Sequence, residues 1–245
     1  REIKQSIRYA RKYAEFDNNV LIMGESGVGK DIFAQAIHNA SSRRDRPFIA
    51  VNCATFPRDL MVSELFGYEQ GAFTGSKKNG NTGKLELANT GTLFLDEIGT
   101  LPLDLQAILL RVLETKRFMK LGASKETSVD VRIIAATNAD ILEMVSQKSF
   151  RGDLYFRLSA FVLNIPPLRK RREDVVLLAN HFISRVARRI HITPPQIADD
   201  AVIYLSQLPW KGNVRELQNL MEGIVQIYSP SVITVNHIPD YLNVI

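Results

Sequence analysis

The sequence predicts an α/β domain, a parallel sheet sandwiched by helices, followed by a small all-helical domain. Three observations predict it. First, five strand-like runs, VLIMG (20–24), PFIAV (47–51), TLFLD (92–96), DVRIIAAT (130–137) and FVLNIP (161–166), alternate with helical stretches. Such runs are almost continuously apolar, as strands become when helices cover both faces of a parallel sheet. Second, VLIM runs into GESGVGK and then into a helical stretch, 31–39, the order in which a strand delivers a glycine loop to a helix N-terminus. Third, the period changes after Pro166-Pro167. Val175, Leu178, Ala179, Phe182 and Val186 fall at helical spacing, as do Val214, Leu217, Leu220, Met221 and Ile224, and no strand pattern intervenes. The boundary is therefore placed near residue 168, giving domains 1–168 and 169–245.

Composition narrows the class. A chain of 245 residues with 45% hydrophobic content can bury one large core and one small one. Lys+Arg 31 against Asp+Glu 26 leaves a net charge of +5, compatible with acidic partners such as nucleotide phosphates or nucleic acid and equally with a mildly basic surface. Cys53 is the single cysteine, so no intrachain disulfide forms and a reducing cytoplasm fits best. Its setting, PFIAVNCATF, reads as a small buried hydrophobe and not as a nucleophile. No apolar run approaches the ~20 residues needed to span a bilayer, so no membrane partner is expected. His38, His181, His191 and His237 lack metal-ligand spacing. Opening on Arg1, the chain reads as an excerpt of something longer.

The chemistry concentrates in a few segments. In Gly24, Glu25, Ser26, Gly27, Val28, Gly29 and Lys30, glycines let backbone N–H groups converge on phosphate oxygens, and Lys30 adds a point charge. Asp31 stands where the general motif has a Ser or Thr that touches Mg²⁺. Metal binding then leans on Asp96, at the end of the hydrophobic strand TLFLD, with Glu97 next to an attacking water. A capping acidic pair after a strand is the blander reading. Asn138 ends RIIAATN, in position to sense a terminal phosphate or the water, although a lone Asn is more often a turn former. Arg151 and Arg157 in FRGDLYFRL are guanidinium groups that a neighbouring copy can present to a triphosphate; the alternative is a surface ion pair with Asp153. The charged run 169–174 mixes signs and starts a helix, which reads as a solvated surface. Gly71, Ala72, Phe73, Thr74, Gly75 and Ser76 spell GAFTGS. An aromatic between glycines has little to pack against locally and is suited to contacting a partner.

Taken together, GESGVGKD, ELFGYEQGAFTGS, GTLFLDEIG, RIIAATN, FRGDLYFRL and WKGNVREL, in that order, closely resemble the central AAA+ ATPase domain of bacterial enhancer-binding proteins, the activators of sigma-54 RNA polymerase. The likeness runs from about Val20 to Leu220. It implies a P-loop AAA+ sheet with a helical lid, ATP and Mg²⁺ as cofactors, and a homo-oligomeric ring, most often a hexamer, with nucleotide bound between neighbours. It also implies roles. Lys30 binds phosphate, Asp96 holds Mg²⁺, Glu97 polarises water, and Asn52 restrains Glu97 until the nucleotide state changes. Asn138 is the first sensor, Arg151 and Arg157 act in trans, and Arg215 in the lid is the second sensor. Phe73 and Thr74 contact the sigma factor, and the segment 118–127 supports their loop. The implied partner is the sigma-54 RNA polymerase holoenzyme, with DNA recognised through a domain absent from this chain.

The chain departs from the family pattern at four places. Asp31 stands for the common Glu, Ser76 for Ala, Gly152 for Glu and Lys211 for Pro. Its first residues begin later than is customary, which puts part of the adenine pocket in question. Two other functions stay open on sequence: a general AAA+ remodelling ATPase, and a nucleotide-gated assembly module with little turnover.

Overall fold

The computed structural model describes residues 2–71 and 80–238. They divide into two compact units: one from 5–23 and 30–164, the other from 24–29 and 165–238 with the first few residues.

The larger unit holds α1 (Glu2–Ala14, most of it), β1 (Val20–Met23), α2 (Lys30–Asn39), β2 (Phe48–Asn52), α3 (Arg58–Phe66), β3 (Gly67–Tyr68), β4 (Asn81–Thr82), α4 (Lys84–Leu87), β5 (Thr92–Asp96), α5 (Leu103–Thr115), β6 (Arg117–Met119), β7 (Glu126–Ser128), β8 (Arg132–Thr137), α6 (Ile141–Ser146), α7 (Gly152–Leu158) and β9 (Phe161–Asn164). Five strands make one parallel sheet in the order β2-β5-β8-β1-β9, flanked by helices. Burial follows that order. All six residues of central β8 are buried, as a strand covered on both faces requires, whereas edge strands β2 and β9 are buried at one residue each. The core joins Leu21, Leu93, Leu95, Ile133 and Ala135 of the sheet to Leu105, Leu109, Val112 and Leu113 of α5. Those three leucines and one valine recur at helical spacing, and the helix stops where Lys116 turns left-handed.

Two small antiparallel pairs were not expected from sequence. β3 pairs with β4, and β6 pairs with β7 with Phe118 opposite Thr127. They meet: Glu69 N–H donates to Leu121 C=O at 2.9 Å, and Leu121 N–H donates to Gly67 C=O at 3.0 Å. Strands of two or three residues carry too little periodicity to announce themselves.

The smaller unit contains α8 (Glu173–Arg189), β10 (Gln196–Ile197), α9 (Asp199–Gln207), α10 (Asn213–Tyr228) and β11 (Val232–Ile233). The expected helical faces form: Val175, Ala179, Phe182 and Val186 of α8 and Leu217, Leu220, Met221 and Ile224 of α10 are buried together around Trp210. Trp210 is 1% exposed and satisfies its indole N–H on Leu205 C=O at 2.9 Å. This unit is helical apart from the parallel β10–β11 pair, a short bridge absent from the sequence expectation.

Candidate active site

Within the larger unit, the candidate residues stand where parallel strands end. Asn52 closes β2 in register with Asp96 at the end of β5, and Asn138 follows β8. Carboxyl ends of parallel strands gather along one edge, the edge that binds ligands in open α/β sheets. Lys30 opens α2, with its side chain 7% exposed, and its Nζ lies 3.7 Å from Glu97 Oε1. Glu97 leaves β5 in the left-handed conformation, φ 52° and ψ 46°, which is uncommon for a residue with a Cβ and typical of functional sites. Its second carboxylate oxygen accepts from the Asn138 N–H at 3.4 Å. Lys30, Glu97 and Asn138 are thus brought together.

Asp96 lies beside them and is only half-buried. Its Oδ1 accepts from the Glu97 N–H at 3.0 Å. Burial raises the Asp96 carboxyl above its ordinary value; the Glu97 charge adds to this, while Lys30 opposes it. Asp31 is exposed in the first turn of α2. Asn52 is exposed, and its Oδ1 accepts from the Ala54 N–H at 2.8 Å; no Asn52–Glu97 hydrogen bond occurs among the described residues. Cys53 is buried, and desolvation drives its thiol up to about 12, so it is inert as sequence suggested.

The two arginines occupy opposite ends of α7. Arg151 caps its start and pairs with Asp153 through two hydrogen bonds of 2.7 and 3.1 Å, so the ion-pair reading holds for this chain on its own. Arg157, in the last turn, is exposed and donates to Leu113 C=O at 3.3 Å. Sequence reasoning missed Gln106. It is fully buried in α5, donates to Leu101 C=O at 2.7 Å and Ser149 C=O at 3.3 Å, and accepts the Arg151 backbone N–H at 2.8 Å. A polar residue inside an apolar helical face was the available signal. Gly152 needs no glycine: an added Cβ would meet only Val145 Cγ1, at 3.5 Å.

The glycine loop 24–29 lies in the smaller unit, and residues there grip it. Arg169 holds the Glu25 carboxylate with hydrogen bonds of 2.7 and 2.5 Å, and Asn213 Nδ2 donates to the same carboxylate at 3.1 Å. These contacts hold the Glu25 carboxyl down at about 2, the Arg169 bond being the largest cause. Arg171 donates to Val28 C=O at 3.1 Å, and Arg215 Nη1 reaches Ser26 Oγ at 3.4 Å. Gly27 must be glycine: its φ is 77°, and an added Cβ would stand 2.3 Å from Gly212 C=O. The run 169–174 is thus no simple solvated surface, because two of its arginines clasp the loop and the Arg171 side chain is only 8% exposed.

Of the GAFTGS residues only Gly71 is described, with φ 80°; Ala72, Phe73, Thr74, Gly75 and Ser76 lie outside the described residues. The segment 118–127, expected to support that loop, falls in the β6–β7 hairpin, which pairs at Leu121 with Tyr68 of β3. No helix among the described residues is long and apolar enough to cross a membrane.

A five-stranded parallel sheet with a glycine loop after β1, an acidic pair at the end of β5 and a second, mainly helical unit defines an AAA+ ATPase domain. Residues 1–164 match the sigma-54 interaction domain and residues 169–244 match the AAA+ ATPase lid domain; the chain belongs to the sigma-54 interaction domain family. It is 45% identical over 234 residues to the formate hydrogenlyase transcriptional activator FhlA of Escherichia coli (strain K12), covering 96% of this chain and 34% of FhlA. It is 50% identical over 212 residues to the DNA-binding transcriptional activator HyfR of the same strain, covering 86% of this chain and 32% of HyfR. The crystal structure of NtrX from Brucella abortus in complex with ADP superposes with a TM-score of 0.90 at 34% identity, over 99% of this chain and 54% of NtrX. The chain therefore spans about a third of those relatives and about half of NtrX.

Proposed function

We propose that this domain hydrolyses ATP in an oligomeric ring, most often hexameric, and uses the cycle to remodel a sigma-54 RNA polymerase closed complex through the GAFTGS loop. The observation that carries the reading is the Lys30–Glu97 ion pair beside Asp96 and Asn138 at the carboxyl edge of the sheet. The family match and the nucleotide complexes of NtrX support it.

The free site is held with Lys30 on Glu97. Incoming phosphates compete for the Lys30 ammonium, and Glu97 is released to accept a proton from water. That water attacks the γ-phosphorus as the bond to the β–γ bridging oxygen breaks, leaving ADP and phosphate. Asn138, whose amide already touches Glu97, positions the carboxylate or the water. Arg151 and Arg157, supplied by a neighbouring copy, stabilise the charge that develops, an effect worth roughly 10³ to 10⁵ in rate in related systems. In that assembly Arg151 exchanges Asp153 for phosphate.

The residues present suit Mg²⁺. Asp96 offers a half-buried carboxylate with one oxygen engaged, and no cluster of three or more metal-ligating side chains exists among the described residues. A cation that takes one carboxylate and completes its shell with phosphates and waters needs no more. When bound it would neutralise charge on the phosphate oxygens.

Phe73 and Thr74 make the sigma-54 contact; the described residues that flank their segment in sequence are braced, β3 pairing with β4 and bonding to Leu121 of the β6–β7 hairpin. Nucleotide can shift this loop only through different affinity for its raised and lowered states. Phe73→Ala is expected to abolish sigma-54 binding in a nucleotide-dependent pull-down while ATP turnover stays within about twofold of the parent. Equal loss of both would remove the case for a dedicated contact loop.

A further inference from the structure

The glycine loop is held by its carbonyls. The carbonyls of Ser26, Gly27 and Val28 are taken in turn by Asn213 Nδ2 at 3.0 Å, the Val214 N–H at 2.9 Å and Arg171 Nη2 at 3.1 Å. In a trans peptide, the C=O of one residue and the N–H of the next point in opposite directions, and the described chain has no cis bond. Fixing three successive carbonyls on one side therefore turns the N–H groups of Gly27, Val28 and Gly29 to the other. Gly27 (φ 77°) and Gly29 (φ 97°) flank Val28, which has no positive φ, and this alternation of hand makes successive N–H groups converge on an anion.

We propose that Asn213 and Arg171 are positioning residues for the nucleotide phosphates: acting through the loop carbonyls, they hold the amides of residues 27–29 converged before ligand arrives. The inference rests on the reading that this loop binds phosphate.

Asn213 is built for the task. It is fully buried at φ 55°, a backbone conformation Asn tolerates better than most residues, and both ends of its amide are used. Oδ1 accepts the Leu168 N–H at 2.8 Å, while Nδ2 is shared between Ser26 C=O and the Glu25 carboxylate. Aspartate would lose the donor and set a second carboxylate against Glu25. Arg171 has its guanidinium largely removed from water, and its one acidic partner among the described residues, Asp174, is 3.9 Å away. Burying a cation with so distant a counter-ion is a poor way to stabilise a fold, so a role in shaping the loop accounts for it better. Without these donors the loop must order on binding, and apparent affinity falls by the fraction that is competent.

The test uses the full chain and ADP in calorimetric titration, with backbone amide NMR shifts of Gly27 and Gly29 in the free protein. Arg171→Met and Asn213→Gly, the latter compatible with a positive φ, should each weaken ADP by at least about tenfold and move both glycine amides. Arg171→Lys should recover part of the loss. Lys30→Ala reports separately on whether the loop binds phosphate. If Lys30→Ala loses ADP while Arg171→Met and Asn213→Gly bind it within twofold of the parent, positioning is refuted and phosphate binding stands. Lowered thermal stability with unchanged ADP affinity would refute it equally, as a purely structural role. If Lys30→Ala binds ADP like the parent, the phosphate reading falls and this inference with it. Should Asn213→Gly not fold, the Arg171 pair decides alone.

Discussion

Glu97→Gln should tighten nucleotide binding while stopping hydrolysis. In the free site Lys30 is 7% exposed and sits 3.7 Å from a Glu97 side chain that is 21% exposed. At that distance an effective dielectric near 20 gives an attraction of about 4.5 kcal/mol, an upper bound because water still reaches the carboxylate. Exposed pairs are worth about 0.2–1 kcal/mol, so a largely buried but not sealed pair is set at about 1–2 kcal/mol. The site must give up that pairing for ATP to recruit Lys30. Glutamine keeps the shape and removes the charge, which weakens the competing hold on the ammonium and removes repulsion toward the phosphates. The expected result is roughly five- to thirtyfold tighter binding of ATP. Losing the proton acceptor should lower turnover by about 10² to 10⁴. Equilibrium titration with a slowly hydrolysed ATP analogue, beside steady-state phosphate release, reads both. Unchanged or weaker affinity would refute the competition for Lys30, and retained turnover would refute the role of Glu97.

Two further substitutions test the surrounding structure. Gln106→Leu removes the acceptor of the Arg151 N–H and the donor to Leu101 and Ser149; with about 1–3 kcal/mol for buried groups left unsatisfied, urea unfolding should show a loss of about 2–3 kcal/mol. Because Arg151 begins α7, turnover should fall as well with ADP affinity unchanged, and a loss of affinity would contradict that placement. Glu25→Gln tests the Arg169 clasp through pH. The folded carboxyl is depressed from 4.5 to about 2, so its contribution is present above pH 4.5 and is lost as pH falls toward 2. With both side chains about two-fifths exposed, screening reduces it to about 1 kcal/mol. The variant's acid-unfolding curve should lack that component, and identical curves would show that the pair contributes nothing.

What sequence reveals here follows the range of the forces involved. The five sheet strands are legible because each is a short apolar run closed by a polar or glycine residue, and their order of burial follows from helical cover. Lys30, Asp96, Glu97 and Asn138 are legible because each follows or ends a strand or loop whose type fixes its position. The left-handed turn at Glu97 and its pairing with Lys30 are not, since they arise from strands brought side by side after folding. The same holds for Arg169 with Glu25 and for Asn213 with Ser26: a mixed-sign run looks the same in sequence whether water or a loop more than a hundred residues away receives it. Gln106 shows in sequence only as a polar residue in an otherwise regular helical face; its three partners are backbone groups, which leave no mark in side-chain chemistry.

The most direct measurement is capture of purified sigma-54 by this chain in the presence of ADP and a γ-phosphate transition-state analogue, read by native gel and analytical ultracentrifugation. A stable complex on an oligomer of the chain is predicted, absent with ADP alone and absent when Arg151 and Arg157 are both replaced by Ala. A chain that stays monomeric with every nucleotide, or that binds sigma-54 equally with ADP and with the analogue, would contradict the link between the site and its partner.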